Sequence, residues 1–272
     1  MASESTIPSG QNNTLLRAID RKVSLGTLAI LAAMFAAWSV VTYGGLVPPY
    51  LLASPTGFLK SLVAIVRSGE LLEHGVSSLE RVFAGFATAS LIAVPLGIAM
   101  GASTRIGRAL NPIVEALRPV SSFAYVPIGM MIFGLGFKLN VFVVYVASFF
   151  PILINTIQGV KGTEKRILEF AQLQGARRRS LLFKVILPSA LPSILTGLRL
   201  GMGIAWMSII ASEMIGAKTG LGFLIYNAAW QMETGLILSG VLAIALIGFT
   251  LNKVFVHIER RVLGWRDHLV TG

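Results

Sequence analysis

The sequence contains no cysteine, three histidines and few charges: Asp, Glu, Lys and Arg together make up 13% of it. Without cysteine, neither a disulfide frame nor a thiolate metal site is available. His74, His257 and His268 are scattered, with no metal-ligand spacing among them. An ordinary soluble domain carries roughly 25% charged residues, so a globular cytosolic enzyme is excluded. The β-barrel alternation of apolar and polar residues is missing as well. So is a phosphate-binding loop of the form G-x4-G-K-[ST], whose glycine backbone would cradle a nucleotide. The nearest approach, "IGAKTGLG" at residues 215–222, has Ala217 where glycine must precede the lysine. It reads as a turn.

What the chain has in quantity is apolar length. Hydrophobic residues make up 54% of it, and several uncharged windows run for about 20 residues, enough at ~1.5 Å per residue to cross a hydrocarbon core of roughly 30 Å. Helices satisfy their own backbone inside lipid, so the class is an all-α polytopic membrane protein. Six spans are expected, over residues 23–43, 81–101, 121–137, 141–160, 191–215 and 235–258. Residues 1–22 form a polar, partly disordered tail. Residues 23–265 form the membrane domain, with a core at 81–260, and residues 266–272 form a second tail. The small-residue run Ala32, Ala33, Ala36 and Ala37 leaves open that the first span is a cleaved signal, which would leave five. Residues 44–80 read as an extramembrane connection. An interfacial helix is expected between Pro112 and Pro119.

Eighteen of the 23 Lys and Arg fall at the two ends of the chain and in the connections after spans two and four. The other five, Lys60, Arg67, Arg81, Lys138 and Lys218, fall on the opposite side. Basic residues collect on the cytoplasmic face, which places both termini there. The net charge of +11 is therefore a topology signal, and no nucleic-acid partner is expected.

Residues 162–189 interrupt the apolar pattern with a cytoplasmic loop. Ile167, Phe170, Ala171 and Gln174 share one helical face before Gly175, which supplies the left-handed turn that ends a helix. A second amphipathic helix carries Leu181, Leu182, Val185 and Ile186, and Pro188 is expected to end it. Two short surface helices hinged at Gly175 result. Periodicity alone leaves two readings open, an interfacial pair bound to lipid phosphates and a docking site for a soluble partner.

Spacing then separates them. Glu169, Ala171, Gly175, Val185, Leu187 and Pro188 fit E-x-A-x3-G-x9-[IV]-x-L-P, which resembles the EAA loop of ABC importer permeases. Phe170 stands where that family usually has the first alanine of the motif. "PILINTIQGV", "LPSALPSILTGLRLGMGIAW", "ASEMIGAKTGLGFLI" and "RRVLGW" extend the likeness to the branch that serves taurine, alkanesulfonates, nitrate and related anions. The resemblance implies a type I importer permease in the bacterial inner membrane. Its loop would be a coupling helix seated on a cytoplasmic ATPase, with Glu169 offering a carboxylate and Gly175 allowing close approach. It also implies two ATPase subunits, a second permease copy and an external solute-binding protein. ATP and Mg would be used by the ATPase partner, and this chain would bind no cofactor and catalyse no covalent step.

A translocation path is expected where helices are weak. Pro127, Gly129, Gly134 and Gly136 interrupt span three, and broken helix at membrane depth is tolerated only beside protein or a wet cavity. Ser121, Ser122 and Tyr125, with Asn155 and Thr156 on span four and Ser208 and Ser212 on span five, offer donors to a passing anion. For each of them, helix-to-helix hydrogen bonding is the alternative. Glu213, an acid at membrane depth, defaults to a functional hypothesis, either a paired gate position or a contact with the delivering protein. Two rival functions remain at this point: a transporter driven by an ion gradient, and a membrane scaffold that docks a partner without transport.

Overall fold

The structure is a computed structural model that describes residues 26–267 apart from residue 28. The expected tail at 1–22, and residues 268–272 of the other tail, lie outside the described residues. Among the described residues every regular element is helical. In chain order they are α1 (Ala29–Tyr43), α2 (Pro55–Ser68), α3 (Glu70–Ala102), α4 (Thr104–Leu117), a 3-10 turn (Ser122–Tyr125), α5 (Val126–Phe133), α6 (Phe137–Lys161), α7 (Lys165–Leu173) and α8 (Arg178–Leu181). A π-turn (Leu182–Ile186) leads into α9 (Leu187–Gly216), followed by α10 (Leu221–Trp230) and α11 (Thr234–Asp267).

Among the described residues, four helices are long and apolar enough to cross a membrane: α3, α6, the run Arg179–Gly216 and Thr234–Leu263. A fifth crossing is available if α4 and the 3-10/α5 pair, bent by 91° at residues 118–121, count as one broken span. Arg118 still has helical angles (φ −53°, ψ −43°), and Pro119 after it has no N–H with which to continue the helix. The described part of the first expected span, α1, has 15 residues. Its start lies outside the described residues.

Several boundaries differ from those expected. Residues 44–80 are not a plain connection: they hold α2, capped by the Ser54 side chain and by Gly69 at φ 82°, and the first turns of α3. Span two therefore begins at Glu70, not at residue 81. Glu70, Glu73, Glu80 and Arg81 made this stretch look extramembrane, but its buried positions Gly75, Ser78, Val82, Gly85, Ala89 and Ala93 keep one helical register. α4 begins well before Pro112, which lies inside it. The second surface helix does not end at Pro188 either. It runs through the π-turn into α9, whose second residue is Pro188.

α6 sits between α3 and α9 and makes the most extensive contacts in the chain with both. Lipid offers no hydrophobic drive for helix association, so close van der Waals approach has to supply it. Small residues permit that approach. A Cβ added at Gly97 of α3 would lie 2.7 Å from Thr156 Cβ and Cγ2 on α6, and one at Gly201 of α9 would lie 2.8 Å from Ile152 Cγ1. Ala89, Ala93, Met100, Ile152, Leu153 and Ile157 fill the α3–α6 interface. Trp206 anchors α9 to α11 by donating its Nε1–H to the Ile244 carbonyl at 3.1 Å.

These approaches predict opposite outcomes for two glycine substitutions. Gly97→Ala has no room and should destabilise the protein by about 1–3 kcal/mol. Gly203→Ala meets nothing within 4 Å and should be neutral or slightly stabilising, since alanine is the better helix former. Thermal unfolding of both variants in detergent, followed by loss of the monodisperse species, measures the contrast.

Candidate functional site

Three places carry chemistry: a cavity at the middle of the helices, a buried ion pair at one end of α9 and an exposed helix at the other. The cavity, about 570 Å³, is walled by Val146, Phe150 and Ile154 of α6 and by Leu200, Ile204 and Ser208 of α9. These residues lie near the midpoints of both helices, so the cavity sits at mid-depth. The bend between α4 and α5 supplies the remaining wall, Arg118 to Phe123.

Four of the seven expected path residues meet here. Ser121, Ser122, Asn155 and Ser208 line the cavity. Ser122 and Ser208 hydroxyls stand 3.3 Å apart and share one hydrogen bond. Ser121 Oγ accepts from the Phe123 amide at 3.4 Å, and Asn155 Nδ2 donates to the Pro151 carbonyl at 2.8 Å. The other three are not brought to it. Thr156 is fully buried and donates to the Ile152 carbonyl at 2.8 Å. Ser212 donates to Asn140 Oδ1 at 2.6 Å. Tyr125 is half-buried at the end of the 3-10 turn, outside the cavity lining. Arg118, counted by sequence in the connection after span two, lies in the break between α4 and the 3-10 turn and also lines the cavity.

Glu213 is fully buried and fully engaged. Arg81 donates to its Oε1 at 2.7 Å. Ser78, with one proton to give, lies 2.8 and 2.9 Å from its two oxygens. The Gly222 amide donates to Oε2 at 2.9 Å. Arg81 also reaches the connection between α9 and α10, donating to the Thr219 carbonyl at 2.7 Å and to Thr219 Oγ1 at 2.6 Å. Ser78 accepts from the Leu221 amide at 2.9 Å, and His74 Nδ1 accepts from the Gly220 amide at 3.0 Å, which leaves the imidazole proton on Nε2. The network clamps residues 219–222 onto α3. Arg81 is thus a buried ion-pair partner, not one of the connection residues counted on the outer side. Sequence reasoning missed it because its partner is 132 positions away.

The expected coupling residues surround the α7 end. Glu169 is exposed on α7, beside a stripe of exposed Ile167, Phe170 (64% exposed) and Leu173 (88%). Gly175 has φ 77°. The Ala176 amide bonds to the Ala171 carbonyl at 3.0 Å and the Gly175 amide to the Gln172 carbonyl at 2.9 Å, the paired bonds of a Schellman turn. Val185 and Leu187 are half-buried and Pro188 exposed, in the π-turn and the first turn of α9.

Comparison with known proteins agrees with this architecture. Residues 93–264 match the family described as "Binding-protein-dependent transport system inner membrane component". The taurine transport system permease protein TauC of Escherichia coli is 37% identical over 252 residues, 91% of this chain and 90% of TauC. The putative aliphatic sulfonates transport permease protein SsuC of Bacillus subtilis is 31% identical, over 88% of this chain and 87% of SsuC. Among solved structures, a chain of the MetNI methionine ABC transporter in an inward-facing conformation aligns with TM-score 0.63 at 18% identity, covering 71% of this chain and 96% of that one. That likeness speaks for the fold.

Breaking the ion pair from one side leaves a buried charge uncompensated. Arg81→Ala is therefore expected to cost about 3–5 kcal/mol of stability, and the double variant Arg81→Met, Glu213→Leu much less. Thermal unfolding in detergent of Arg81→Met, Glu213→Leu and their double variant gives the coupling directly. An Arg81→Ala protein as stable as the unaltered one would remove the clamp from the account.

Proposed function

The chain belongs to the family of binding-protein-dependent transport system inner membrane components, and from that premise we propose that it is the membrane-spanning subunit of an ATP-driven importer for a small anion. Likeness to permeases named for taurine and aliphatic sulfonates supports an anion of that type. In this reading the chain works with two ATPase subunits, a second permease copy and an external solute-binding protein. Both of its termini face the cytoplasm. ATP and Mg belong to the ATPase partner, whose closure is converted here into alternating access.

The observation that carries the proposal is the unpartnered face at the α7 end. Ile167, Phe170 and Leu173 expose an apolar stripe next to the Glu169 carboxylate, on a helix whose exit is fixed by Gly175. An amphipathic helix presented this way suits a groove on a soluble partner, with apolar anchors at helical spacing and one charge at the rim. Glu169, Ala171 and Gly175 would form the seat. Val185, Leu187 and Pro188 would pass its movement into α9, which lines the cavity. Glu213, held by Arg81, would keep the far end of α9 fixed to α3, as a gate position that opens only with that clamp.

The test is uptake of radiolabelled taurine or ethanesulfonate into proteoliposomes that hold the complete transporter with its binding protein. Glu169→Lys reverses the rim charge, and Gly175→Val forces a β-branched residue into left-handed backbone. Both are expected to abolish ATP-dependent uptake, by at least about tenfold, while the permease still inserts and purifies as a folded protein. Normal uptake in both would contradict the coupling role.

A further inference from the structure

We infer that Arg118 is the counter-charge of a binding site in the mid-depth cavity for a monovalent organic anion, a sulfonate or carboxylate on a short apolar body. The inference deepens the importer reading and rests on it for the claim that the bound anion is cargo. Three observations carry the site itself.

The first is charge. Arg118 is the single ionisable residue in the cavity lining, which contains no Asp or Glu. The ion pairs among the described residues are Arg81–Glu213 and Arg199–Glu259, so the Arg118 guanidinium has no acid beside it. A cation near the midpoint of membrane helices is costly unless something compensates it, and such residues mark ion and substrate routes. Arg118 caps the C-terminal end of α4, where backbone carbonyls favour a cation. That accounts for a basic residue at the bend. It does not account for an exposed arginine, without an acid beside it among the described residues, in the lining of an acid-free cavity.

The second is donor supply. Ser121 Oγ accepts from the Phe123 amide, which leaves its own proton free. Ser122 and Ser208 share one hydrogen bond, so one of their two protons remains. Asn155 spends one of its two amide protons on Pro151. Three neutral donors thus remain beside a guanidinium that binds carboxylate or sulfonate oxygens in pairs. No carboxylate competes for them.

The third is the opposite wall. Val146, Phe150, Ile154, Leu200 and Ile204 are apolar. Against a small hydrated inorganic anion they would contribute only desolvation. Against the alkyl part of an organic anion they bury apolar surface, which is favourable. The pattern of a few placed polar groups in a largely apolar concavity is that of a small-molecule site.

The experiment measures binding of radiolabelled ethanesulfonate to the assembled permease–ATPase complex in detergent, without binding protein. Competitors are propionate, bicarbonate and the neutral isostere ethyl methyl sulfone. Saturable binding displaced by propionate, but only weakly by bicarbonate or the sulfone, is the expected result. Arg118→Gln should weaken binding by at least about tenfold, the loss of one charge-assisted pair, and Arg118→Lys should fall between. Unchanged affinity in Arg118→Gln overturns the assignment. Equal competition by the sulfone overturns the charge, and equal competition by bicarbonate overturns the organic class. Should Arg118→Gln fail to assemble, Arg118→Lys decides: affinity unchanged by loss of the paired guanidinium donors overturns the assignment. Binding that depends on Arg118 in a complex with no ATP-dependent uptake would sink the importer reading and leave the site standing.

Discussion

Close approach of α6 to both of its neighbours is the constraint on which the rest of the structure depends. In lipid a helix gains nothing by burying an apolar face that was already in an apolar solvent, so contact distance decides which helices stay together. Gly97 against Thr156, and Gly201 against Ile152, bring α3, α6 and α9 to distances that no larger residue allows. Once these three are locked side by side, the polar groups have few places left. They sit at the ends of the helices, or in the gap where α4 bends away from α5.

The two polar places differ in kind. At the Glu213 end every carboxylate lone pair that faces protein is met by Arg81, Ser78 or a backbone amide. The carboxylate is fully met, although Arg81 Nε is buried without a partner; a buried network of this sort specifies one arrangement of the α9–α10 connection, although its net contribution to stability is small. At the bend the account is left open. Arg118 and three hydroxyl or amide donors face a cavity without an acceptor of opposite charge. One site is finished by the chain itself. The other, in the proposed reading, is completed by an anion.

Much of this was legible in the sequence, and the failures share one cause. The long uncharged windows gave the cores of α3, α6, α9 and α11, but not of the third expected span, where residues 121–137 hold a 3-10 turn and the short α5; Gly175 gave the Schellman turn, because that signal too is local. Charge was also read locally, and there it misled. Glu70 to Arg81 looked extramembrane, yet Gly75, Ser78, Val82 and Gly85 already carried the helical spacing of small buried residues that continues to Met100. Arg81 and Arg118 were both assigned to connections. One is neutralised by an acid 132 residues away, and the other faces a cavity formed by three separate segments. Neither circumstance leaves a mark within a window of ordinary length. The donor set Ser121, Ser122, Asn155 and Ser208 was found because hydroxyls and amides on apolar helices stand out, but Thr156 and Ser212 stand out equally and simply bond within the protein.

The continuity of α9 has a mechanical consequence. Its 30 residues span about 45 Å at 1.5 Å per residue. Leu187 and Pro188 lie at one end of this rod, Leu200, Ile204 and Ser208 of the cavity wall near its middle, and Glu213 near the other. A stiff helix packed against α6 cannot shift at one end without shifting at the cavity. Compliance is concentrated where regular hydrogen bonding is interrupted: the π-turn at Leu182–Ile186, whose wider ring tolerates adjustment, Pro192 inside α9, and the connection held by Arg81. In the proposed coupling, displacement arriving through α7 would be divided among these. The softer π-turn would absorb small movements, while large ones would load the clamp at Glu213, so the two ends of α9 would set the threshold above which the cavity wall moves.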